Sequence, residues 1–165
     1  MTDDPVETRV LAHLAELGVP YERSPCDPAL ADTEAFCAHY GYPLAASANA
    51  LVVGSKREPR VFAACVVLAT TRLDVNRAVK NELGVGRLSF ASADEMRRAT
   101  GMEIGGVTPF ALPADMPLLV DAAVLLPARV IVGSGGRTSK LYVAPSALLL
   151  HPGARAVPGL AQPRS

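Results

Sequence analysis

The sequence lacks the features that would anchor a protein in a membrane or hold it together by covalent links. No apolar run approaches the ~20 residues that a membrane-spanning helix needs, and residues 1–5 are acidic where a signal peptide would be basic. The three cysteines are odd in number and have neither a CxxC pair nor a histidine at metal-ligand spacing. We therefore expect a cytoplasmic protein with buried or free thiols, no metal and no cofactor.

The sequence also lacks an excess of positive charge and a large aromatic surface. Lysine and arginine together number 16, and aspartate and glutamate also number 16, so no net positive field attracts nucleic acid from a distance. Aromatic residues make up only 5% of the chain, which disfavours broad binding of single-stranded RNA by stacking. We expect no DNA binding and no membrane association, and any contact with RNA must be local.

The composition that is present is that of a folded globular protein, with 50% hydrophobic and 19% charged residues. A chain of 165 residues fits one domain whose core buries roughly two thirds of the unfolded surface. We predict a single domain over residues 1–165, with a loosely held tail from about Pro152, where proline and glycine are frequent.

Hydrophobic periodicity, caps and turn residues predict an alternation of helices and strands. The predicted helices cover residues 5–17, 32–40, 73–84, 92–100 and 145–151. The predicted strands cover residues 19–23, 48–54, 60–69, 87–91, 118–121, 122–127, 128–133 and 140–144. The strands around Leu51, Val66, Leu119, Ile131 and Tyr142 are predicted to share one mixed sheet covered by helices.

Residues 100–110 concentrate glycine and proline among apolar residues. Gly105 and Gly106 allow a tight turn and close approach of the backbone, and Pro109 biases Thr108 toward extended geometry. Such a loop presents bare N–H groups, which suit an oxygen that gains negative charge during a reaction. A tight connection between two elements is the structural alternative.

A second glycine-rich stretch, residues 133–140, does not fit the phosphate-loop motif that it first suggests. Thr138 and Ser139 stand where the motif requires glycine and lysine. Residues 140–144 alternate like a strand instead of opening a helix. We interpret the stretch as a glycine-rich hairpin that faces the same site.

The histidines offer no catalytic arrangement. His13, His39 and His151 are isolated in the sequence, and no Ser-x-Gly elbow accompanies a histidine–carboxylate pair. His39 lies near the C-terminal end of a predicted helix, which suits capping. We therefore expect no catalysis by a side-chain nucleophile.

The order of the elements and glycine motifs resembles a known family. An apolar hairpin, an Asp-capped helix, Ser-Phe-Ala with a capping box, the loop Thr-Gly-x-x-x-Gly-Gly-Val-Thr-Pro-Phe at residues 100–110 and a glycine hairpin follow one another. In this order they resemble the YbaK/EbsC-type aminoacyl-tRNA deacylases, which are free-standing relatives of the bacterial prolyl-tRNA synthetase editing domain. The resemblance runs from the first predicted helix to Leu150.

The resemblance implies an α/β (α+β) fold, in which a mixed six-stranded sheet curls into a partly open barrel surrounded by helices. It implies hydrolysis of the ester of a mischarged tRNA, with a backbone N–H of the Gly-Gly loop holding the carbonyl and the terminal ribose hydroxyl positioning water. The catalytic positions that it implies are Gly105, Gly106 and Asn49. The substrate-binding positions are Val107, Thr108, Pro109, Phe110, Ser134, Gly135, Gly136 and Lys140.

Asn49 departs from the family, which has a lysine at this position of the first hairpin strand. An asparagine donates hydrogen bonds but supplies no cation. Lys56 or Lys140 could substitute from another part of the chain. We predict that residues 105–110 and 134–136 approach each other across a concave pocket, with Asn49 on its wall.

Three functions stay open at the level of sequence. A trans-editing hydrolase would deacylate mischarged aminoacyl-tRNA carrying a small amino acid, with the tRNA 3′ end as its partner. The same fold could instead bind a tRNA end, a nucleotide or a small metabolite without turnover. An interaction or regulatory domain with purely structural glycine loops is the third alternative, and a homodimer or association with an aminoacyl-tRNA synthetase is compatible with the first two.

Overall fold

The computed structural model describes residues 4–103 and 106–164. Its α-helices are α1 (Pro5–Leu17), α2 (Thr33–Tyr40), α3 (Lys80–Leu83), which continues a π-helical turn at Val75–Val79, and α4 (Ala93–Thr100). Its strands are β1 (Tyr21–Pro25), β2 (Ala48–Ser55), β3 (Phe62–Leu68), β4 (Thr71–Leu73), β5 (Leu88–Phe90), β6 (Leu118–Asp121), β7 (Val130–Gly133), β8 (Ser139–Val143), β9 (Ala154–Val157) and β10 (Ala161–Pro163).

Local capping determines where two of the helices begin and end. The Asp4 carboxylate accepts hydrogen bonds from the first backbone N–H groups of α1, and Gly18 ends that helix with φ at 69°. Ser92 and Glu95 form the capping box at the start of α4. The predicted helix at residues 5–17 and the predicted capping box are therefore confirmed.

The strands form a mixed fold of sheets and helices, as predicted, and no closed barrel is present in the described residues. The central sheet has five strands in the order β5-β2-β3-β6-β9. Within it β5, β2 and β3 pair antiparallel, whereas β3, β6 and β9 pair parallel. An antiparallel sheet of β1, β8 and β7 and a pair of β10 with β4 complete the arrangement.

The prediction that the strands share a single six-stranded sheet is corrected by this topology. Leu51, Val66 and Leu119 do lie together in the five-stranded sheet, but Ile131 and Tyr142 lie in the three-stranded one. The two sheets are joined only by a parallel bridge between Ser47 and Ile131 among the described residues. Backbone pairing between them ends there, while apolar side chains of both sheets pack in one core.

The central sheet is buried on both faces. Along β3, Ala64 and Val66 belong to the first core, which is shared with α1 and the three-stranded sheet. Ala63, Cys65 and Val67 face the other way and belong to the second core, which lies under α3. Burial on both faces explains why β2 and β3 are continuous apolar runs and do not alternate with polar residues.

The C-terminal segment is packed, which corrects the prediction of a loose tail. β9 pairs parallel with β6, and β10 pairs antiparallel with β4. Val157 and Leu160 are buried in the second core, with Leu160 fully inaccessible. These two apolar side chains fix a segment whose proline and glycine content predicts a loose chain.

Residues 122–127, predicted as a strand, instead begin with a 3-10 helix at Ala122–Leu125. The chain turns there directly after β6, and the buried Val124 points to the first core. The predicted helix at residues 145–151 is likewise a 3-10 helix, Pro145–Leu150. Within residues 4–103 and 106–164, none of the helices has the length and apolar character needed to span a bilayer.

Candidate active site

A cavity of about 590 Å³ opens beside β2, where that strand lacks a neighbour on one side. β5 pairs with β2 only at residues 53–55, so residues 49–51 have no strand partner on that side in the described chain. Ala91 N–H donates to Val52 C=O on this side. In a strand the N–H and C=O groups of every second residue point to the same side. The N–H and C=O of Ala50 therefore point to the same side as the Val52 C=O, toward the open edge.

The remaining walls of this cavity come from five other parts of the chain. They are the start of α2, the segment from β5 into α4, the loop at residues 106–110 (the glycine loop), the β7–β8 hairpin and Arg164 after β10. The lining residues outside β2 are Asp32, Thr33, Glu34, Phe90, Ala91, Met96, Val107, Gly133, Lys140 and Arg164.

Asn49 lies on the wall of this cavity, as predicted. Its Oδ1 accepts a hydrogen bond from the hydroxyl of Thr33, the first residue of α2. Its Nδ2 group makes no hydrogen bond to any described residue. Asn49 therefore ties β2 to α2 and keeps two N–H donors for a ligand.

Lys140 lines the same cavity from the other sheet. It lies in β8 opposite Gly133 and is only 5% exposed. Burial lowers the pKa of Lys140 below its ordinary value, because a low-dielectric surrounding disfavours the charged ammonium, and the charge of Arg137 acts in the same direction. Lys56 lines a different cavity. The structure thus brings Lys140, rather than Lys56, to the same pocket as Asn49.

The two glycine-rich segments touch each other directly. Gly135 N–H donates to Gly106 C=O at 2.6 Å. A Cβ at Gly106 would lie 2.5 Å from Gly136 O, and a Cβ at Gly133 would lie 2.2 Å from Val107 O. The segments therefore pack backbone against backbone, whereas the sequence predicts that they face each other across the pocket.

This contact places the hairpin tip behind the pocket wall. The Ser134 hydroxyl donates to Ser139 C=O at 3.0 Å and is fully buried. A Cβ at Gly136 would meet the Asp4 carboxylate at 2.3 Å, and one at Gly135 would meet Val6 of α1 at 2.9 Å. Ser134, Gly135 and Gly136, which the resemblance assigns to substrate binding, do not line the cavity.

The residues that follow Val107 are buried as well. Thr108 and Phe110 are almost inaccessible, and Phe110 belongs to the first core. Pro109 is buried between them. Of the loop positions assigned to the substrate, Val107 alone lines the cavity in the described chain, and Gly105 lies outside the described residues.

Comparison with known proteins decides what kind of domain surrounds this pocket. The family model of the aminoacyl-tRNA editing domain matches residues 27–149. This chain belongs to the aminoacyl-tRNA editing domain family. An editing domain acts on aminoacyl-tRNA, and the predicted resemblance is confirmed at this level.

Solved structures share the fold of this editing domain over nearly its whole length. A hypothetical protein of known crystal structure has 25% identity and a TM-score of 0.82, with 93% of this chain and 99% of that chain covered. A protein proposed to be a trans-editing enzyme for prolyl-tRNA synthetase has 22% identity and a TM-score of 0.81, with 98% and 99% covered.

The N–H groups in the loop of the editing domain are mostly occupied. Gly106 N–H donates to Glu103 C=O at 2.9 Å, and Thr108 N–H lies 3.5 Å from the Met102 sulfur. Val107 N–H makes no hydrogen bond in the described chain. Because the Gly106 C=O is held by the hairpin and a trans peptide directs C=O and N–H oppositely, Val107 N–H points away from the hairpin.

The wall of the pocket in the editing domain contains no serine, cysteine or histidine among the described residues. The three cysteines are buried elsewhere, and burial raises the pKa of the Cys65 thiol to about 12. His151 Nε2 lies 2.7 Å from Met116 O. No group of three or more His, Cys, Asp or Glu residues in residues 4–103 and 106–164 is arranged to hold a metal ion.

Several pocket residues of the editing domain had no signal in the sequence. Phe90 belongs to a strand of apolar residues, for which burial is expected. In the structure its side chain lies at the rim of the pocket and is 56% exposed. Arg164 reaches the pocket from the C-terminal segment and pairs with Glu34 at 3.3 Å. The proline and glycine content of the C-terminal segment predicts a loose chain, so the sequence does not indicate that Arg164 reaches the site.

Proposed function

We propose that this editing domain is a cytoplasmic trans-editing hydrolase, which removes a wrongly attached small amino acid from the 3′ end of tRNA. The observation that supports the proposal most is the composition of the pocket wall. In the described chain this wall has hydrogen-bond donors and a buried cation, but no serine, cysteine or histidine. Such a wall can stabilise developing charge and position water without a covalent intermediate.

In the proposed reaction a water molecule attacks the carbonyl carbon of the aminoacyl ester. The carbonyl oxygen gains negative charge and accepts a hydrogen bond from Val107 N–H, which has no partner in the described chain. The bond from the carbonyl carbon to the ribose oxygen then breaks. One proton of the water passes to the ribose oxygen, so that the free amino acid and the tRNA leave.

Lys140 supplies positive charge to the proposed reaction. Lys140 lines the cavity on which Asn49 also lies, and its burial strengthens any interaction with a developing negative charge. Asn49 donates hydrogen bonds from the opposite sheet but has no charge. In this protein the cation therefore comes from β8, whereas the family has a lysine at the position of Asn49.

The proposed preference for a small amino acid is supported by what the cavity must hold. Its volume of about 590 Å³ has to accept the amino acid together with the terminal nucleoside. Ala48, Ala50 and Met96 form an apolar part of the wall that suits a small apolar side chain. The exposed ring of Phe90 at the rim offers a face on which the terminal adenine can stack.

The direct test is a panel of tRNAs, each charged with a wrong amino acid and incubated with the purified protein. Loss of the ester above the spontaneous rate is measured for every member. We expect turnover of at least one tRNA that bears a small amino acid and none of tRNAs that bear large aromatic ones. A panel without any turnover would contradict the hydrolase proposal.

A second candidate function is a binding module without turnover. Asn49 favours it, because this residue supplies no cation at the position where the family has a lysine. If Asn49 belongs to a working pocket, Asn49→Ala should slow deacylation by about two- to tenfold, the loss of one hydrogen bond. The exposed Asn81→Ala is the matched control and should not change the rate. An inactive native protein together with no gain in Asn49→Lys would instead support the binding module.

A further inference from the structure

Three basic side chains converge on a second cavity, separate from the candidate active site. Lys56 follows β2, Lys80 begins α3 and Arg87 precedes β5, and all three line a cavity of about 400 Å³. Lys56 N–H donates to Arg87 C=O at 3.1 Å, which holds these two residues side by side. Lys56, Lys80 and Arg87 are called the basic cluster below.

The charges of the basic cluster are not neutralised by the described part of the protein. None of the three side chains forms a salt bridge to a described residue. Of the acidic groups nearest in sequence, Asp74 and Glu82 have other partners, and Glu58 makes no salt bridge to a described residue. The Asp74 carboxylate accepts a hydrogen bond from Arg77 N–H at 3.2 Å, and Glu82 pairs with Arg155 at 3.4 Å. Glu58 lies exposed on the turn after Lys56 and makes no salt bridge either.

A concave site with three uncompensated cations suits an anion that offers several oxygens. Phosphate is such an anion, and lysine and arginine are the side chains that bind it most often in nucleic acids. The chain as a whole has a net charge of +0, so the positive potential here is local. A local phosphate contact is therefore compatible with the absence of long-range attraction.

β5 connects the basic cluster to the candidate active site. Leu88 lines the basic cavity and Phe90 lines the candidate active site. Two residues of extended strand span about 7 Å. A phosphate bound by the basic cluster would thus lie only a few nucleotides from an aminoacyl end bound in the larger pocket.

We propose that the basic cluster binds a backbone phosphate of the tRNA acceptor arm while the 3′ end of the same tRNA occupies the candidate active site. The proposal rests on the proposed function and adds to it the site that holds the RNA body. Sequence-independent contact of this kind positions the RNA without reading its bases.

The test compares two variants that each remove two exposed cations. One is Lys56→Gln with Arg87→Gln, and the matched control is Arg72→Gln with Arg98→Gln, two exposed arginines without a salt bridge. The probe is an uncharged acceptor-stem RNA hairpin with a single-stranded 3′ end, and its Kd is measured against salt concentration. We expect the cluster variant to weaken binding at least fivefold at low salt and to reduce the salt slope by about 0.7–0.9 for each lost phosphate contact.

A second measurement separates this proposal from the proposed function. An aminoacyl ester of adenosine, which contains no phosphate, is offered to the native protein and to both variants. We expect the cluster variant to hydrolyse it at the native rate. Equal Kd values for the two variants, or slower hydrolysis of the phosphate-free ester by the cluster variant, would overturn the proposal. If no protein hydrolyses any ester, the proposed function fails, and the comparison of Kd values still decides whether the basic cluster binds RNA.

Discussion

At the scale of single residues, Lys140 keeps an ammonium group where burial makes its charge costly. A buried lysine loses its proton more readily than an exposed one, because the uncharged amine needs less solvation. A group held in this way responds strongly to a nearby negative charge. The location of Lys140 is therefore costly for folding, and it suits the proposed stabilisation of an oxyanion.

The pH dependence of deacylation should report this residue. The pKa of Lys140 is lowered from 10.5, so the ammonium loses its proton below the pH at which an exposed lysine would. We expect Lys140→Met to lower the rate about tenfold or more at neutral pH, the loss of a hydrogen bond to a charged group. The ratio of native to variant rates should fall toward one as pH rises through the lowered pKa.

Arg98→Met, which removes an exposed cation, is the control and should keep the native profile. Between the lowered pKa and 10.5 the unfolded chain binds this proton and the native protein does not. The free energy of unfolding should therefore rise with pH in that window in the native protein and not in Lys140→Met. A rate ratio independent of pH would show that the charge of Lys140 has no part in the reaction.

Which single residues of the site are predictable from sequence depends on how they reach it. Asn49 and Val107 belong to motifs that are continuous in the chain, and both line the pocket. Arg164 and Thr33 reach the pocket only through the folded arrangement of distant segments. The occupied N–H of Gly106 depends on a turn closed by Glu103, which no motif specifies.

At the scale of elements, the contact between the glycine loop and the β7–β8 hairpin determines where Val107 lies. The contact is close because no side chain separates Gly106 from Gly136. Any methyl group at Gly106 would have to displace backbone atoms of the hairpin. Backbone atoms yield less easily than the end of a flexible side chain.

Gly106→Ala should therefore destabilise the protein by about 1–3 kcal/mol. Its ideal Cβ lies 2.5 Å from Gly136 O, closer than nonbonded contact allows. Gly86→Ala is the control for stability, since its Cβ would meet nothing within 4 Å. Denaturation by urea should show Gly86→Ala equal to native or more stable by about 0.4–1 kcal/mol, because alanine restricts the unfolded chain. Equal destabilisation by the two substitutions would contradict the close contact.

Elements whose boundaries are encoded locally could be predicted well. α1 and α4 begin and end at residues that cap them through short-range hydrogen bonds, and periodicity supplies the rest. Residues 122–127 are apolar like a strand, but the chain folds them into a turn of 3-10 helix that fills the first core. Periodicity alone cannot distinguish these outcomes for a short apolar run.

At the scale of the whole molecule, the C-terminal segment closes the second core of the central sheet. Leu160 is 0% exposed and packs there beside Val79 and Leu119. Leu160 C=O also accepts a hydrogen bond from Asp74 N–H at 3.0 Å. The segment is thus joined to the domain by both side-chain packing and backbone bonding.

Leu160→Ala should lower the free energy of unfolding by about 2–5 kcal/mol, because it leaves a cavity in a packed core. Leu126→Ala is the matched control, since Leu126 is 83% exposed, and it should leave stability almost unchanged. Thermal unfolding followed by circular dichroism measures both. A tail that is only loosely attached would give two equal midpoints.

The division into sheets could not be read from sequence, because strand order depends on contacts between distant segments. The apolar runs of β3 and β7 have the same character, yet one lies in the central sheet and the other pairs with β8. In the described chain the backbones of the two sheets pair only at the bridge between Ser47 and Ile131. The family resemblance implies the mixed architecture, whereas the division of the strands depends on contacts that form only in the folded chain.

The open edge of β2 has a consequence for the behaviour of the protein in concentrated solution. An unpaired strand edge normally invites a strand of another molecule and so promotes aggregation. Here the edge at residues 49–51 is recessed in the pocket, flanked by the start of α2 on one side and by Phe90 and Ala91 on the other. These walls hinder the approach of a folded strand from a second copy of the protein, whereas the proposed substrate presents only a single-stranded 3′ end. The recess that is proposed to admit substrate thus also protects residues 49–51 from pairing with another strand.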